Sequence, residues 1–347
     1  MSIVGKDSEM PFKKICFEVA GICNARCTYC VTGAKNANPG GIMKADTFDA
    51  TLRNLERLNL IDSRSVIELY NWGELFLHPD LQNIIRVIND HSLRYSISTN
   101  ASIVPQIDEA FVKNLTAIRF SMCGFSQQSY DRIHKFKFDR IKGNIITIVS
   151  DLRSVGYKKR IDVCFHVYRF NTDEIRECER FAKDLGITPV FFDAFVADWW
   201  QFEAFTQKTL SNEKRREILD DLFIDEKLRN VPKRWRCPQW NLLLIDERGE
   251  VPVCCYLPNN HPSYSLGTVD DGITERLRNR PNLPICKTCR ESGIGYRWQQ
   301  PTFKGGPFRK WVLKNRKWVL RIAMEQIRST SLLEAISLAL SFFTMQD

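Results

Sequence analysis

Apolar positions over the first two hundred residues alternate between two spacings. Short apolar or alternating runs at 15–20 (ICFEVA), 66–70 (VIELY), 94–98 (RYSIS), 117–121 (AIRFS), 161–167 (IDVCFHV) and 187–192 (ITPVFF) predict strands. Between them, stretches with helical periodicity near 44–58, 80–91, 105–114, 139–155 and 171–185 predict helices. Asn171, with Glu174 three residues on, reads as a capping box opening the last of these. Six strands alternating with helices predict parallel βα units, an α/β fold whose chemistry gathers where the strands end.

Beyond residue 195 the rhythm breaks. Trp199, Trp200, Phe202 and Phe205 form an aromatic patch that reads as packing ahead of a substrate wall, and a charged helix follows near 212–228. Trp240 to Ile245 and Glu250 to Cys255 flank the turn Asp246-Glu247-Arg248-Gly249, which predicts a β-hairpin. Residues 308–322 interleave Trp311, Leu313 and Trp318 with lysines and arginines, and a second apolar run covers 332–343. Neither run reaches the roughly 18 uncharged apolar residues that a bilayer span needs. A basic amphipathic tail of this kind lies either on an anionic membrane surface or against the protein body.

Composition narrows the class. A chain of 347 residues with 44% hydrophobic and 26% charged residues is an ordinary globular protein with a sizeable core. The net charge of +9 is carried mostly by eight basic residues against Glu325 between Lys304 and Arg328. The body is therefore near neutral, and no nucleic-acid partner is expected of it. Twelve cysteines, after a polar start with Lys6, Asp7 and Glu9, point to a cytoplasmic setting in which clustered thiols are metal ligands.

The densest cluster is Cys23-Asn24-Ala25-Arg26-Cys27-Thr28-Tyr29-Cys30, directly after the first strand. Three thiolates from one loop hold three irons of a four-iron cluster and leave the fourth open to a small ligand; a zinc loop is the other reading of the thiols alone. Five further cysteines, Cys237, Cys254, Cys255, Cys286 and Cys289, lie in the last third. Four of them can meet at one centre, with Cys254 preferred over Cys255 and zinc again the alternative to iron and sulfur.

The C-x3-C-x2-C loop resembles the signature of the radical S-adenosylmethionine (radical SAM) superfamily. The resemblance implies a partial (β/α)6 TIM-type barrel over 1–195. It also implies a [4Fe-4S] cluster on Cys23, Cys27 and Cys30, and SAM chelated at the open iron and cleaved to a 5′-deoxyadenosyl radical. Tyr70-Asn71-Trp72-Gly73-Glu74 stands where the family carries a Gly-Gly-Glu-like motif, so Gly73 and Glu74 are expected at the SAM amino group, with Trp72 replacing the first glycine. His78-Pro79-Asp80 fits the family pattern too, with His78 expected to be structural. Ser98 and Asn100 resemble the family's Ser-Thr-Asn segment, and Ser121 stands as the ribose contact in a Ser-x-Asp-Gly position where Cys123 replaces the acid. Tyr29 and Arg169 are expected around adenosine.

The later cysteines resemble the SPASM/twitch extension of the same superfamily. After a connector over 196–233, the resemblance implies a small cysteine-rich domain over 234–303 holding one auxiliary [4Fe-4S] cluster on Cys237, Cys254, Cys286 and Cys289, and a basic helical tail over 304–347. Gly295 stands where a further cysteine of the full pattern would fall. The function implied is an oxidoreductase or epimerase that abstracts hydrogen from a small polar substrate of carbohydrate, aminocyclitol or glycan-pathway type. A flavodoxin or ferredoxin would be the reductant, and Cys255 and Cys123 are candidate hydrogen donors. The lean away from peptides rests on the short stretch before the first strand, too short for a leader-binding domain. The alternatives are a maturase of a ribosomal peptide and a non-catalytic iron–sulfur or zinc protein. The tail allows peripheral contact with the inner membrane surface.

Overall fold

The six strands of the βα rhythm are present and parallel in a computed structural model that describes residues 11–34, 40–224, 235–257 and 262–298. They are β1 (Lys14–Phe17), β2 (Val66–Leu69), β3 (Arg94–Thr99), β4 (Leu115–Met122), β5 (Arg160–Val167) and β6 (Thr188–Asp193). The order across the sheet is β6-β5-β4-β3-β2-β1 with a seventh strand, β7 (Leu243–Ile245), beside β1. β6 and β7 are the two edges, so the ladder is a partial barrel.

One face of each strand packs on helices. Phe48, Leu52 and Leu55 of helix Ala45–Arg57 and Ile84, Ile85 and Ile88 of helix Leu81–Asp90 are fully buried at helical spacing. Ile141, Ile145, Ile148 and Leu152 of helix Phe138–Ser154 repeat the pattern. Phe17 meets Phe48 edge-on at 4.8 Å, which fixes which face of β1 looks outward. The opposite face is polar: Glu68, Ser96, Ser98, Arg119, Ser121 and Asp162 occupy the alternate positions. Arg119 lies within 4.0 Å of Glu68 and 3.7 Å of Asp162, so the barrel interior is charged.

Three local expectations are corrected. The helix expected over 105–114 is only Glu109–Val112, because Asp108 accepts from the Phe111 N–H at 2.8 Å and starts it late. Asn171 does not open a helix as its cap. It is fully buried, accepts from the Tyr168 N–H at 2.8 Å and donates to the carbonyls of Cys123 and His166 at 2.9 and 3.0 Å. Glu174 is drawn elsewhere, accepting from the Phe125 N–H and from the Ser126 and Ser129 hydroxyls.

The third correction is the hairpin. The turn forms, with Gly249 at φ 79° and Asp246 Oδ1 accepting from the Arg248 and Glu250 N–H groups at 3.0 and 2.9 Å. Its two strands part company, however. β7 pairs in parallel with β1, and β8 (Glu250–Pro252) pairs antiparallel with β9 (Ser265–Thr268). The free edge of β1, more than two hundred residues away in sequence, is the better partner for the buried run Leu243–Ile245. The cysteine-rich stretch thus shares its sheet with the barrel. Cys254 and Cys255 fall after β8, in a turn and not on a strand.

The described residues belong to one compact unit, residues 1–300. The basic tail, and the membrane contact it suggested, lie outside the described residues. Among the described residues no helix is long and apolar enough to cross a membrane.

Candidate cluster and cofactor site

β1 ends at Phe17, and the chain then runs across the strand ends as the cysteine loop. The loop is pinned at several points. The Glu18 N–H donates to Ile245 O at 2.9 Å, Ile22 O accepts from the Glu74 N–H at 2.7 Å, and the Arg26 N–H donates to His134 O at 3.3 Å. Cys27 and Cys30 close a turn through a Cys30 N–H to Cys27 O bond of 3.2 Å. Burial pushes the Cys23 thiol up to about 12, and Cys27 and Cys30 are raised by burial as well. Each thiol also feels the charge of a second member of the trio or of a nearby glutamate. Such a trio ionises at neutral pH only if a metal compensates it.

Gly73 and Glu74 lie beside this loop. A Cβ at Gly73 would fall on the Ala20 carbonyl oxygen, so the loop after β2 passes where only glycine fits. The N–H groups of Trp72 and Gly73 both donate to Glu18 Oε1 at 2.8 Å. Glu74 is buried, and its carboxylate accepts from the Thr99 hydroxyl at 2.6 Å, the Asn100 N–H at 2.7 Å and the Phe76 N–H at 3.2 Å. It therefore clamps the ends of β2 and β3 together. Asn100 continues the chain of contacts toward the cysteines: its Nδ2 donates to Asn24 Oδ1 at 3.1 Å and stands 3.8 Å from Cys23 Sγ. Ser98 and Ser121 face each other at 3.4 Å on the inner wall.

The remaining expected positions are placed as follows. The Tyr29 hydroxyl donates to Asp221 Oδ2 at 2.6 Å, and its ring lies 6.2 Å from that of Tyr168. Arg169 donates to Leu222 O at 2.9 Å and covers the Phe223 ring at 4.8 Å. Cys123 is fully buried with Sγ 3.7 Å from Ser129 O. His78 is a structural residue, Nε2 on Met43 O at 2.9 Å and Nδ1 accepting from the Asp80 N–H at 3.1 Å.

The second thiol group lines one cavity. Cys237, Cys254, Cys286 and Cys289 face it together with Trp199, Trp235 and Trp240. Cys286 and Cys289 lie one turn apart on helix Pro284–Glu291, and Cys237 precedes the short turn Pro238–Asn241. Cys255 is outside this lining and donates to Gln239 Oε1 at 3.2 Å. Burial raises Cys237 and Cys286 to about 12 and Cys289 to about 11. The Trp240 and Trp199 indole groups act in the opposite sense on Cys286 and Cys289. A Cβ at Gly295 would stand 3.1 Å from Cys289 Sγ, so the position lacking the extra cysteine packs directly on the group.

No family model matches the chain. It is 21% identical to the antilisterial bacteriocin subtilosin biosynthesis protein AlbA of Bacillus subtilis over 76% of this chain, and spans 59% of that protein's length. Among solved structures, anSMEcpe with bound AdoMet superposes with a TM-score of 0.50 at 13% identity, covering 79% of this chain and 82% of that one. SuiB of Streptococcus suis bound to precursor peptide SuiA gives 0.52 at 14% identity, covering 81% and 67%. This chain carries its C-x3-C-x2-C loop after β1. These likenesses are to radical SAM enzymes, the family whose cysteine signature this chain's loop resembles.

The chain resembles radical SAM enzymes, whose cofactors are SAM, a SAM-binding [4Fe-4S] cluster and auxiliary [4Fe-4S] clusters. Its residues fit these groups. Both donor sets are thiols alone, the ligands that iron–sulfur clusters take. Among the described residues no three His, Cys, Asp or Glu side chains gather tightly enough to hold a single ion. Sequence reasoning missed Glu18, Arg280 and Trp235, and it read Trp199 as packing and Trp240 as a strand residue, where both line the thiol cavity. Glu18 sits in a strand-like apolar run, and burial raises its carboxyl to about 7. Nothing in the local pattern marks Arg280.

Proposed function

We propose that Cys23, Cys27 and Cys30 hold the SAM-binding cluster, and that SAM lies over the strand ends between Gly73, Glu74, Asn100, Ser98 and Ser121. Cys237, Cys254, Cys286 and Cys289 hold the auxiliary cluster. When bound, the first cluster and SAM supply the 5′-deoxyadenosyl radical that abstracts hydrogen from substrate. This chain's own residues do the rest. Glu74 holds the ends of β2 and β3 in one arrangement, Gly73 lets the backbone pass close to the cysteine loop, and Asn100 ties that arrangement to Cys23. A flavodoxin or ferredoxin is the matching class of reductant.

The substrate reading is a small polar molecule, oxidised or epimerised. The observation carrying it is the charged inner wall, where Asp162 Oδ2 and Ser96 Oγ are buried with no hydrogen-bond partner and Arg119 lies between Glu68 and Asp162. Hydroxyl and ammonium groups satisfy such a wall. A second reading, modification of a ribosomal peptide, is favoured by the likeness to AlbA and to SuiB, which is seen with a precursor peptide. Anaerobic turnover with reductant, SAM and deuterated substrates tests both. Deuterium entering 5′-deoxyadenosine from a sugar or aminocyclitol supports the first reading, and deuterium entering only from a peptide replaces it with the second. The absence of 5′-deoxyadenosine under all conditions overturns both.

A further inference from the structure

Arg280 is 3% exposed, at the end of helix Ile273–Asn279. A buried guanidinium ordinarily has a carboxylate beside it. Here its hydrogen bonds go to two neutral carbonyls, Leu242 O at 3.1 Å and Trp240 O, and Nε has no partner. Its bond to Trp240 O sets it behind a residue that lines the cavity with Cys237, Cys254, Cys286 and Cys289, and the Cys254, Cys286, Cys237 and Cys255 sulfurs are near enough to act on it electrostatically. Burial alone pulls its pKa down, and those four thiols oppose the pull. Four neutral thiols are no counter-charge for a buried cation. Four thiolates on a four-iron core are, because such a group carries net negative charge.

We propose that Arg280 is the counter-charge of the auxiliary cluster and raises its reduction potential. The inference rests on the reading of Cys237, Cys254, Cys286 and Cys289 as the ligands of that cluster. Reduction adds one electron to a group that is already anionic, so attraction to a fixed nearby cation is stronger in the reduced state than in the oxidised one. Because the guanidinium itself is buried, solvent screens that difference less than it would at the surface. Arg280 is placed to exert it, since its two carbonyl bonds anchor the guanidinium to the segment that follows Cys237. The residue acts through the cluster and touches no substrate.

The test is a redox titration of the full-length, anaerobically reconstituted protein, followed by electron paramagnetic resonance. The auxiliary signal is recognised by its insensitivity to added SAM. Arg280→Gln is expected to move its midpoint to a more negative potential, and Arg280→Lys to keep the midpoint near that of the unaltered protein. Equal midpoints in Arg280→Gln and the unaltered protein overturn the proposal, as does a shift in Arg280→Lys as large as in Arg280→Gln. If Arg280→Gln loses the cluster's iron, Arg280→Lys decides: retention of iron and potential supports a charge role, and loss in both variants overturns it. If the unaltered protein holds zinc at these thiols, or iron for one cluster only, the ligand reading itself falls; an unchanged potential with both clusters present removes only the role of Arg280.

Discussion

The Glu74 carboxylate receives the Asn100 backbone N–H at 2.7 Å, which joins the loop after β2 to the loop after β3 directly beside the cysteine trio. The bond is buried and charge-assisted, and the Thr99 hydroxyl at 2.6 Å reinforces it. Glu74→Ala leaves these donors without an acceptor. We expect it to cost about 1–3 kcal/mol of stability by denaturant unfolding and to weaken SAM binding. Unchanged stability and unchanged SAM affinity would show that the clamp is dispensable.

Two glycines should respond to alanine with opposite signs. Gly73→Ala drives a methyl into the Ala20 carbonyl, a backbone atom that cannot turn aside, and should destabilise by about 1–3 kcal/mol. Gly143 lies inside helix Phe138–Ser154 with nothing within 4 Å of a Cβ, so Gly143→Ala should stabilise by about 0.5–1 kcal/mol. Thermal melts of the two variants check the pair.

The two adjacent cysteines should separate in an iron assay. Cys254 lines the cavity, whereas Cys255 does not and donates instead to Gln239, one of the lining residues. Cys254→Ala is expected to lower the iron content by about four per chain, the content of one cluster, whereas Cys255→Ala should leave it unchanged. The reverse result would exchange the two assignments.

His91 sits between two carboxylates, 2.8 Å from Asp49 and 3.0 Å from Glu56. Burial opposes its protonation, but the two carboxylates outweigh burial, and its pKa is raised above the ordinary histidine value of 6.5. A raised histidine binds its proton more tightly folded than unfolded. Its contribution is therefore complete below the unfolded pKa and fades as pH rises through the folded one. Stability should fall on the order of 1 kcal/mol across that window, and His91→Gln should flatten this part of the profile. Unfolding free energies measured from pH 5.5 upward provide the check.

The barrel was legible because its strands advertise themselves locally. β2 to β6 lie within a residue or two of their apolar runs, and helices Ala45–Arg57 and Phe138–Ser154 follow their periodicity. The cysteine loop was legible because all three of its thiols come from one short segment. Asn171 and Glu174 misled for the opposite reason. Their spacing is a local signal, but Asn171 bonds back to Tyr168 and His166 as well as to Cys123, and the Glu174 partners Phe125 and Ser126 are about fifty residues away. Glu18 was hidden in an apolar run because a buried carboxylate has no sequence signature apart from its distant N–H donors.

What the chain determined by itself was the repeating βα rhythm, the trio of closely spaced thiols and the count of thiols near the end, all properties of neighbouring residues. Only the folded arrangement decided that Leu243–Ile245 completes the edge of β1 instead of a hairpin, that Cys254 and not Cys255 lines the thiol cavity, and that Arg280 is buried against the carbonyls of Trp240 and Leu242. Each of those outcomes depends on groups tens to hundreds of residues apart competing for one edge, one cavity or one counter-charge. That competition is resolved by packing and burial, which no window along the sequence contains.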